Sequence, residues 1–447
     1  MWFHLPNIIF HCANVALVYF IALFLFKSFW SAGLSAVFFG LHPITSEVVS
    51  FTAIFGDIIC FFFISITVIL FAKYCFTGHN RFFLGSLFSL LAALLSKEVA
   101  VIGPFLVILT WIYMRRIKPD LKVKYPALLC YFILLALYLF MRPHTGLDWR
   151  ALLPTFQKFT KSAYYIRDLV LPLELPWLKT FVYQRALLSV VIWSGGLWSI
   201  LFIISSLKLK RLKERNYLFI YLLAWVGLTL IIPILTPFSP ARRHLYIPLL
   251  GYSLFLIPAA FLFIKRKALA VTFILSLSLL SATTTWSRNI LYKYSGEVVE
   301  RCLASLKQAL PHVSPDDIIF LVTIPGRIDN TYAFHGAVEE KIRYIYNDRN
   351  LRVYPLSSIT FTRRRSPQIS YEILDKAKIV LNLKTSPDEY ITLPETRGLC
   401  DYQIENDHYG HIRKLTMELT PPESFKGSAH LIGFKDNNFF VMGKFRQ

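Results

Sequence analysis

Three short stretches carry side chains that could do chemistry. His42, Glu47 and Asp57 fall within GLHPITSEVVSFTAIFGD, Lys97 and Glu98 open KEVAVIGP, and Arg242, Arg243, His244 and Tyr246 share RRHLYIP. Carboxylates in such a set can accept a proton from a hydroxyl or hold a divalent cation. Lysine and arginine suit a phosphate, which a guanidinium can grip with two parallel hydrogen bonds. Each group also has a plainer reading. His42 before Pro43 could be a helix-terminal hydrogen bonder, Lys97 and Glu98 could pair only with each other, and the two arginines could be interfacial anchors.

The elements that must position them are apolar. The chain of 447 residues is 55% hydrophobic and 16% aromatic, with a mean hydropathy of +0.50. Runs of the length needed to cross about 30 Å of hydrocarbon recur along the first two thirds. Ten are expected, at about 7–26, 29–45, 51–72, 82–96, 98–114, 125–141, 187–207, 217–235, 245–264 and 268–286. So many apolar segments cannot all be buried in one soluble core, and the expected class is an α-helical polytopic membrane protein.

Ionisable residues near hydrocarbon are costly, which is why the three stretches stand out. The net charge of +21 would suggest nucleic acid in a soluble chain, but the loops account for it. Alternate short loops collect the basic residues: Lys27, then Lys73 and Arg81, then Arg115, Arg116, Lys118, Lys122 and Lys124, then Lys208, Lys210, Arg211, Lys213 and Arg215, then Lys265, Arg266 and Lys267. The positive-inside bias puts that set in the cytoplasm. Both termini, the long 142–186 loop and all three polar stretches then face the non-cytoplasmic side, and no nucleic-acid partner is expected. Only MWFHLP precedes the first run, with no basic n-region or small-residue cleavage site, so a signal peptide is not expected.

Residues 287–447 read as a separate extracytoplasmic α/β domain after the 1–286 membrane domain. SGEVVERCLASLKQAL and AFHGAVEEKIRYIYND have helical spacing, DDIIFLVTIP, LRVYPL and AKIVLNLK read as strands, and SAHLIGF and NFFVMGKF are expected to pair as a hairpin across KDNN. Its role is expected to be acceptor or partner specificity rather than chemistry. Cys302 and Cys400 are the two cysteines of this domain that could form a disulfide.

In order and spacing, LHPITSEVV with its following Gly-Asp, LLSKEVAVIGPFLVIL and RRHLYIPLLGYSLFL resemble the membrane domain of GT-C-type glycosyltransferases. The likeness is nearest to the transmembrane-and-tetratricopeptide O-mannosyltransferases and their bacterial relatives. There the matching stretches read HPxxxEAV followed by Arg-x-Asp, a Lys-Glu pair opening a helix, and an RYLYLP-like segment. TFQKFTKSAYYIRDLVLPLEL resembles the amphipathic segment of the family's long external loop.

The resemblance implies a sugar moved from a polyprenyl-phosphate donor to an external protein or glycan acceptor, in a bacterial inner membrane. Glu47 and Asp57 would be the catalytic carboxylates. His42, Lys97, Glu98, Arg242, Arg243, His244 and Tyr246 would bind substrate, and a divalent metal ion is the one cofactor left open. The chain departs from the pattern in three ways. It opens at what resembles the family's second helix, so an upstream helix and its acidic loop are expected to be missing; Phe55-Gly56-Asp57 lacks the arginine; and no tetratricopeptide array follows. A catalytically silent GT-C-like subunit that binds lipid-linked sugar or a partner protein is therefore the alternative. A transporter would need charge through the whole membrane depth, whereas here it gathers on one side.

The charge asymmetry yields a direct test. A C-terminal tag should be cleaved by protease added outside intact spheroplasts, and protection of the tag would reverse the topology.

Overall fold

The computed structural model describes residues 4–51, 54–119, 121, 125–142, 155–170, 213–235, 241–329, 331–334, 338–361, 368–375, 378–384, 390–393, 400–406, 412–419 and 427–446. The chain divides into two compact units, residues 1–288 and 289–447. The first is helical and the second rich in strands.

In the first unit α1 (Leu5–Phe26) turns back at Lys27 into α2 (Phe29–Leu41), which bends into the short α3 (Ile44–Ser50). Then follow α4 (Phe55–Thr77), α5 (Asn80–Ser96), a 3₁₀ turn (Glu98–Ile102), α6 (Gly103–Ile117), α7 (Tyr125–Met141) and α8 (Phe156–Val170). After the undescribed 171–212 come α9 (Lys213–Leu235), a second 3₁₀ turn (Arg242–Leu245), α10 (Tyr246–Phe263) and α11 (Lys267–Ala309).

Among the described residues six helices are long and apolar enough to cross a membrane, or seven if the bent pair α2–α3 is one broken span. The expectation of ten is thus met only in part. α5 has 17 residues and rises about 25 Å, short of the hydrocarbon thickness. α7 is similarly short. The expected run 187–207 lies outside the described residues.

The bend has a local cause. Proline restricts the residue before it to extended backbone, and His42 takes φ −66°, ψ 137° ahead of Pro43. The two pieces meet at 61°. Carbonyls freed by such a break must find donors when water is absent. Thr285 Oγ1 donates to Leu41 O at 2.8 Å and Arg288 Nη1 donates to Pro43 O at 2.8 Å, while at the far end of α3 Asn7 Nδ2 donates to Val48 O at 3.2 Å. His11 Nε2 lies 3.3 Å from Gly40 O. A carbonyl can only accept, so Nε2 carries the proton and Nδ1 takes the Tyr246 hydroxyl at 2.7 Å.

Cations and rings gather at the other end of the bundle. Arg81 lies over Phe82, Arg115 over Trp111, Arg116 over Tyr217 and Lys118 over Phe76. With Lys73 over Phe82, these cation–π pairs join the ends of α4, α5, α6 and α9 in a belt of the kind found at a membrane interface.

The second unit is built on a four-stranded and an eight-stranded sheet. β1 (Ile318–Leu321) lies between β4 (Arg352–Pro355) and β11 (Ser428–Lys435), parallel to both, and β11 pairs antiparallel with β12 (Asn438–Arg446). β1 reads IIFL and is buried throughout, as a strand covered on both faces must be. The β11–β12 hairpin turns through Asp436 and Asn437, both at positive φ, which matches the twist of the strands. The 298–306 stretch of α11 and α12 (Val338–Tyr346) add Val298, Cys302, Leu306 and Ile342 to the core.

The larger sheet joins β2 (Ile324–Ile328), β3 (Thr331–Tyr332), β5 (Ser358–Phe361), β6 (Gln368–Asp375), β7 (Lys378–Lys384), β8 (Tyr390–Thr392), β9 (Cys400–Asn406) and β10 (Ile412–Leu419). Most of these strands were not expected from the sequence, because their apolar alternation is weak and charged residues interrupt it. Cys302 and Cys400 are buried free thiols, so the expected option of a disulfide is not realised.

Asp317 ties the start of β1 to β11. Its Oδ1 accepts the Ser428 amide at 2.7 Å, and Oδ2 accepts the Ser314 amide at 3.0 Å and lies 3.2 Å from His430 Nε2. Burial alone would raise this carboxyl, but those donors outweigh it and hold it below its ordinary value. A depressed carboxyl stabilises the fold above its unfolded pKa of about 4, and that stabilisation is lost as pH falls through the lower folded value. Asp317→Ala should remove the acid dependence and cost about 1.5–3 kcal/mol at neutral pH. Hydrogen exchange at β1 and β11 reads both effects.

Candidate functional site

The bend between α2 and α3 also sets the site. Because α3 leaves the axis of α2, Glu47 in its first turn is turned inward and buried. Arg243 comes from the 3₁₀ turn that precedes α10, and its Nη1 donates to Glu47 Oε1 at 3.3 Å. Asp57 sits in the first turn of α4, a favourable place for a carboxylate beside unpaired amides. Lys97, the residue between α5 and its following 3₁₀ turn, brings Nζ to 3.7 Å from Asp57 Oδ2 and 3.6 Å from Glu98 Oε1.

That approach depends on Gly56. A Cβ there would come within 2.9 Å of the Ser96 carbonyl oxygen, so any side chain would push the start of α4 from the end of α5. Asp57 feels the charges of Lys97, Arg243, Glu98 and Glu47, which makes the two ion pairs one cluster. Asp57 Oδ2 is buried and has no hydrogen bond among the described residues.

A fourth carboxylate belongs to the same end of the bundle. Asp168 of α8 receives Arg167 Nε and Nη2 on Oδ1 at 2.9 and 2.7 Å, and Arg242 Nε on Oδ2 at 2.9 Å. Tyr165, three residues earlier, places its hydroxyl 2.9 Å from His244 Nδ1. Burial pushes the Tyr165 phenol up to about 12, and burial together with Lys158 lowers the Lys161 amine. Lys161 lies over the Tyr165 ring.

The structure therefore brings together Glu47, Asp57, Lys97, Glu98, Arg242, Arg243 and His244. His42 is adjacent and fully buried, where Nδ1 accepts the Ile44 amide at 3.4 Å and the ring feels Asp168 and Arg242. Tyr246 is not in the cluster. It points into the helical core between Phe39 and Phe61, with its hydroxyl on His11 and Asn14.

Sequence reasoning missed Arg167, Asp168 and Tyr165. The signal was present, since the amphipathic segment was singled out and Asp168 is an acid in it, but nothing local says which arginine it would meet. Among the described residues no three His, Cys, Asp or Glu side chains are grouped to hold a metal ion. Glu47 and Asp57 each face a cation there. No family model, curated protein or solved structure matches this chain.

Removing one partner of a buried ion pair leaves the other uncompensated. Arg243 keeps 20% of its side chain exposed, so Arg243→Met should cost toward the lower end of that penalty, about 3 kcal/mol. Adding Glu47→Leu should restore most of it, because the stranded carboxylate is removed as well. Denaturation in detergent measures both. Additive losses would mean that the pair is not coupled.

Proposed function

We propose that this chain is a membrane glycosyltransferase, or part of one, that moves a sugar from a polyprenyl-phosphate-linked donor to a protein or glycan acceptor on the non-cytoplasmic face of a bacterial inner membrane. The observation that supports the reading is the convergence of the Glu47–Arg243, Asp57–Lys97 and Asp168–Arg242 pairs at one end of the helical unit. A lipid phosphate is an anion held at the membrane boundary, and arginine and lysine are the groups that recognise it. The resemblance of these same stretches to GT-C enzymes points the same way.

In this reading Asp57 is the general base. Its Oδ2 is buried, has no hydrogen bond among the described residues and is 3.7 Å from Lys97 Nζ. The acceptor hydroxyl gives its proton to Asp57 as its oxygen bonds to the anomeric carbon. The bond from that carbon to the phosphate oxygen breaks, and phosphate leaves with the electron pair against Arg242 and Arg243. A single displacement inverts the anomeric centre. The strand-rich unit would contribute acceptor or partner specificity.

A second reading is a silent subunit that binds the lipid-linked sugar without acting on it. It is favoured by the engagement of Glu47 with Arg243, which leaves that carboxylate poorly placed to take a proton.

Arg243→Ala should weaken binding of a polyprenyl monophosphate by about 1.5–3 kcal/mol, the scale of a hydrogen bond to a charged group. Asp57→Asn should keep binding and lose transfer by about 10²–10⁴-fold, the usual contribution of a positioned base. Binding without transfer in the unmodified protein would favour the silent subunit. Binding that ignores Arg243 would remove the site from the proposal.

A further inference from the structure

α8 carries the only carboxylate among the described residues that is shared by two guanidiniums. Arg167 places two nitrogens on Asp168 Oδ1, and Arg242, 74 residues further along, places Nε on Oδ2. Consecutive residues on a helix do not face one another, so Arg167 must fold back on itself to reach Asp168. The guanidiniums keep 27% and 26% of their side chains exposed, while Asp168 keeps 16%. The carboxylate is thus the more enclosed group, with two partly open cations around it. Two guanidiniums converging on two oxygens of one anion is also the arrangement that binds a phosphate.

The surroundings favour an incoming anion. Arg243 follows Arg242 directly, and Lys161 lies on the same helix as Asp168, near enough to His244 for its charge to be felt there. Asp168 is tethered to α8, an amphipathic helix described between two undescribed segments, 143–154 and 171–212. It is held to the 3₁₀ turn by the Arg242–Asp168 pair and the Tyr165–His244 contact.

We propose that Asp168 is a built-in competitor for the phosphate of the lipid: its carboxylate occupies the arginine cradle in the unliganded protein and gives way when the phosphate enters. This rests on the proposed lipid-phosphate site and deepens it, by naming the residue that sets the site's affinity and couples its occupancy to α8. Displacement exchanges Asp168 for the phosphate on Arg242 and Arg167, so that the phosphate bridges α8 and the 3₁₀ turn in place of the carboxylate, while the Tyr165–His244 contact stays. The role of Asp168 is positioning, since it meets the arginines and not the reacting atoms.

The test uses the full chain in lipid nanodiscs, with a polyprenyl monophosphate titrated into the unmodified protein and into Asp168→Asn. The variant keeps the shape and an acceptor oxygen but not the charge, so it should bind about tenfold more tightly. Lipid that binds both proteins equally, or the variant more weakly, would overturn the proposal. Hydrogen exchange on the unmodified protein is a second measurement that needs no variant. Saturating lipid should change protection of the amides across 156–170 and 242–245, where Asp168 and Arg242 are reseated, and unchanged protection in both stretches would overturn the displacement. Inorganic pyrophosphate separates the two layers. If neither protein binds the lipid but Asp168→Asn gains thermal stabilisation by pyrophosphate, the competitor role stands and the lipid reading falls. If neither anion prefers the variant, the competitor role falls whatever becomes of the lipid.

Discussion

Everything at the polar end of the helical unit depends on one broken backbone. Pro43 ends α2, and the chain cannot hydrogen-bond through the corner in the ordinary helical way. In surroundings without water a freed carbonyl is costly, and three at the corner, those of Gly40, Leu41 and Pro43, meet side chains from elsewhere: His11, Thr285 and Arg288. Thr45 and Ser46 supply two further donors locally, to His42 O and Pro43 O. With the corner so tied, α3 lies across the end of the bundle and carries Glu47 inward. A continuous helix through 29–50 would have left that carboxylate one face of an ordinary span.

Charge distribution follows from that corner. Each carboxylate at the polar end has a cation within 4 Å, as buried or half-buried charges require. The cations come from other elements than the acids they meet in three cases: Arg243 for Glu47, Lys97 for Asp57 and Arg242 for Asp168. The pairs therefore pin α3, α4 and α8 to the turns that follow α5 and precede α10. In a site held together by ion pairs the cations are already placed for an anion, and any exchange must resolvate the carboxylate that is displaced. The basic belt at the opposite end has rings as partners instead and has no such exchange available.

The strand-rich unit is stabilised differently. Its core is a buried parallel strand, β1, whose backbone is paired on both edges, and Asp317 closes the entry to that strand. Here the apolar run and the hairpin turn were legible, because IIFL is continuous and Asp-Asn accepts positive φ with little strain. Strands such as β9 and β10 were not. CDYQIEN and IRKLTMEL alternate poorly, and their pairing with each other and with β7 and β8 is what makes them strands.

For the helical unit the same division holds. Each expected apolar run other than 187–207 has a described helix on it, because a long apolar stretch has few ways to satisfy its backbone other than a helix. The break at Pro43, the polar residues flanking it and the segregation of basic loops were equally readable, since proline sterics and charge counts are local. Whether a helix is a full span was not readable at the margin, where 17 residues fall just short. The site's pairings were not readable at all. Glu47 meets Arg243 across 196 positions and Pro43 meets Arg288 across 245. The sequence determined which residues would sit at one end of the bundle. Which of them touch, and that Asp168 holds Arg242 while Tyr246 turns away to His11, was decided by how the helices pack, because side-chain partners at such separations depend on the rotation and approach of whole elements.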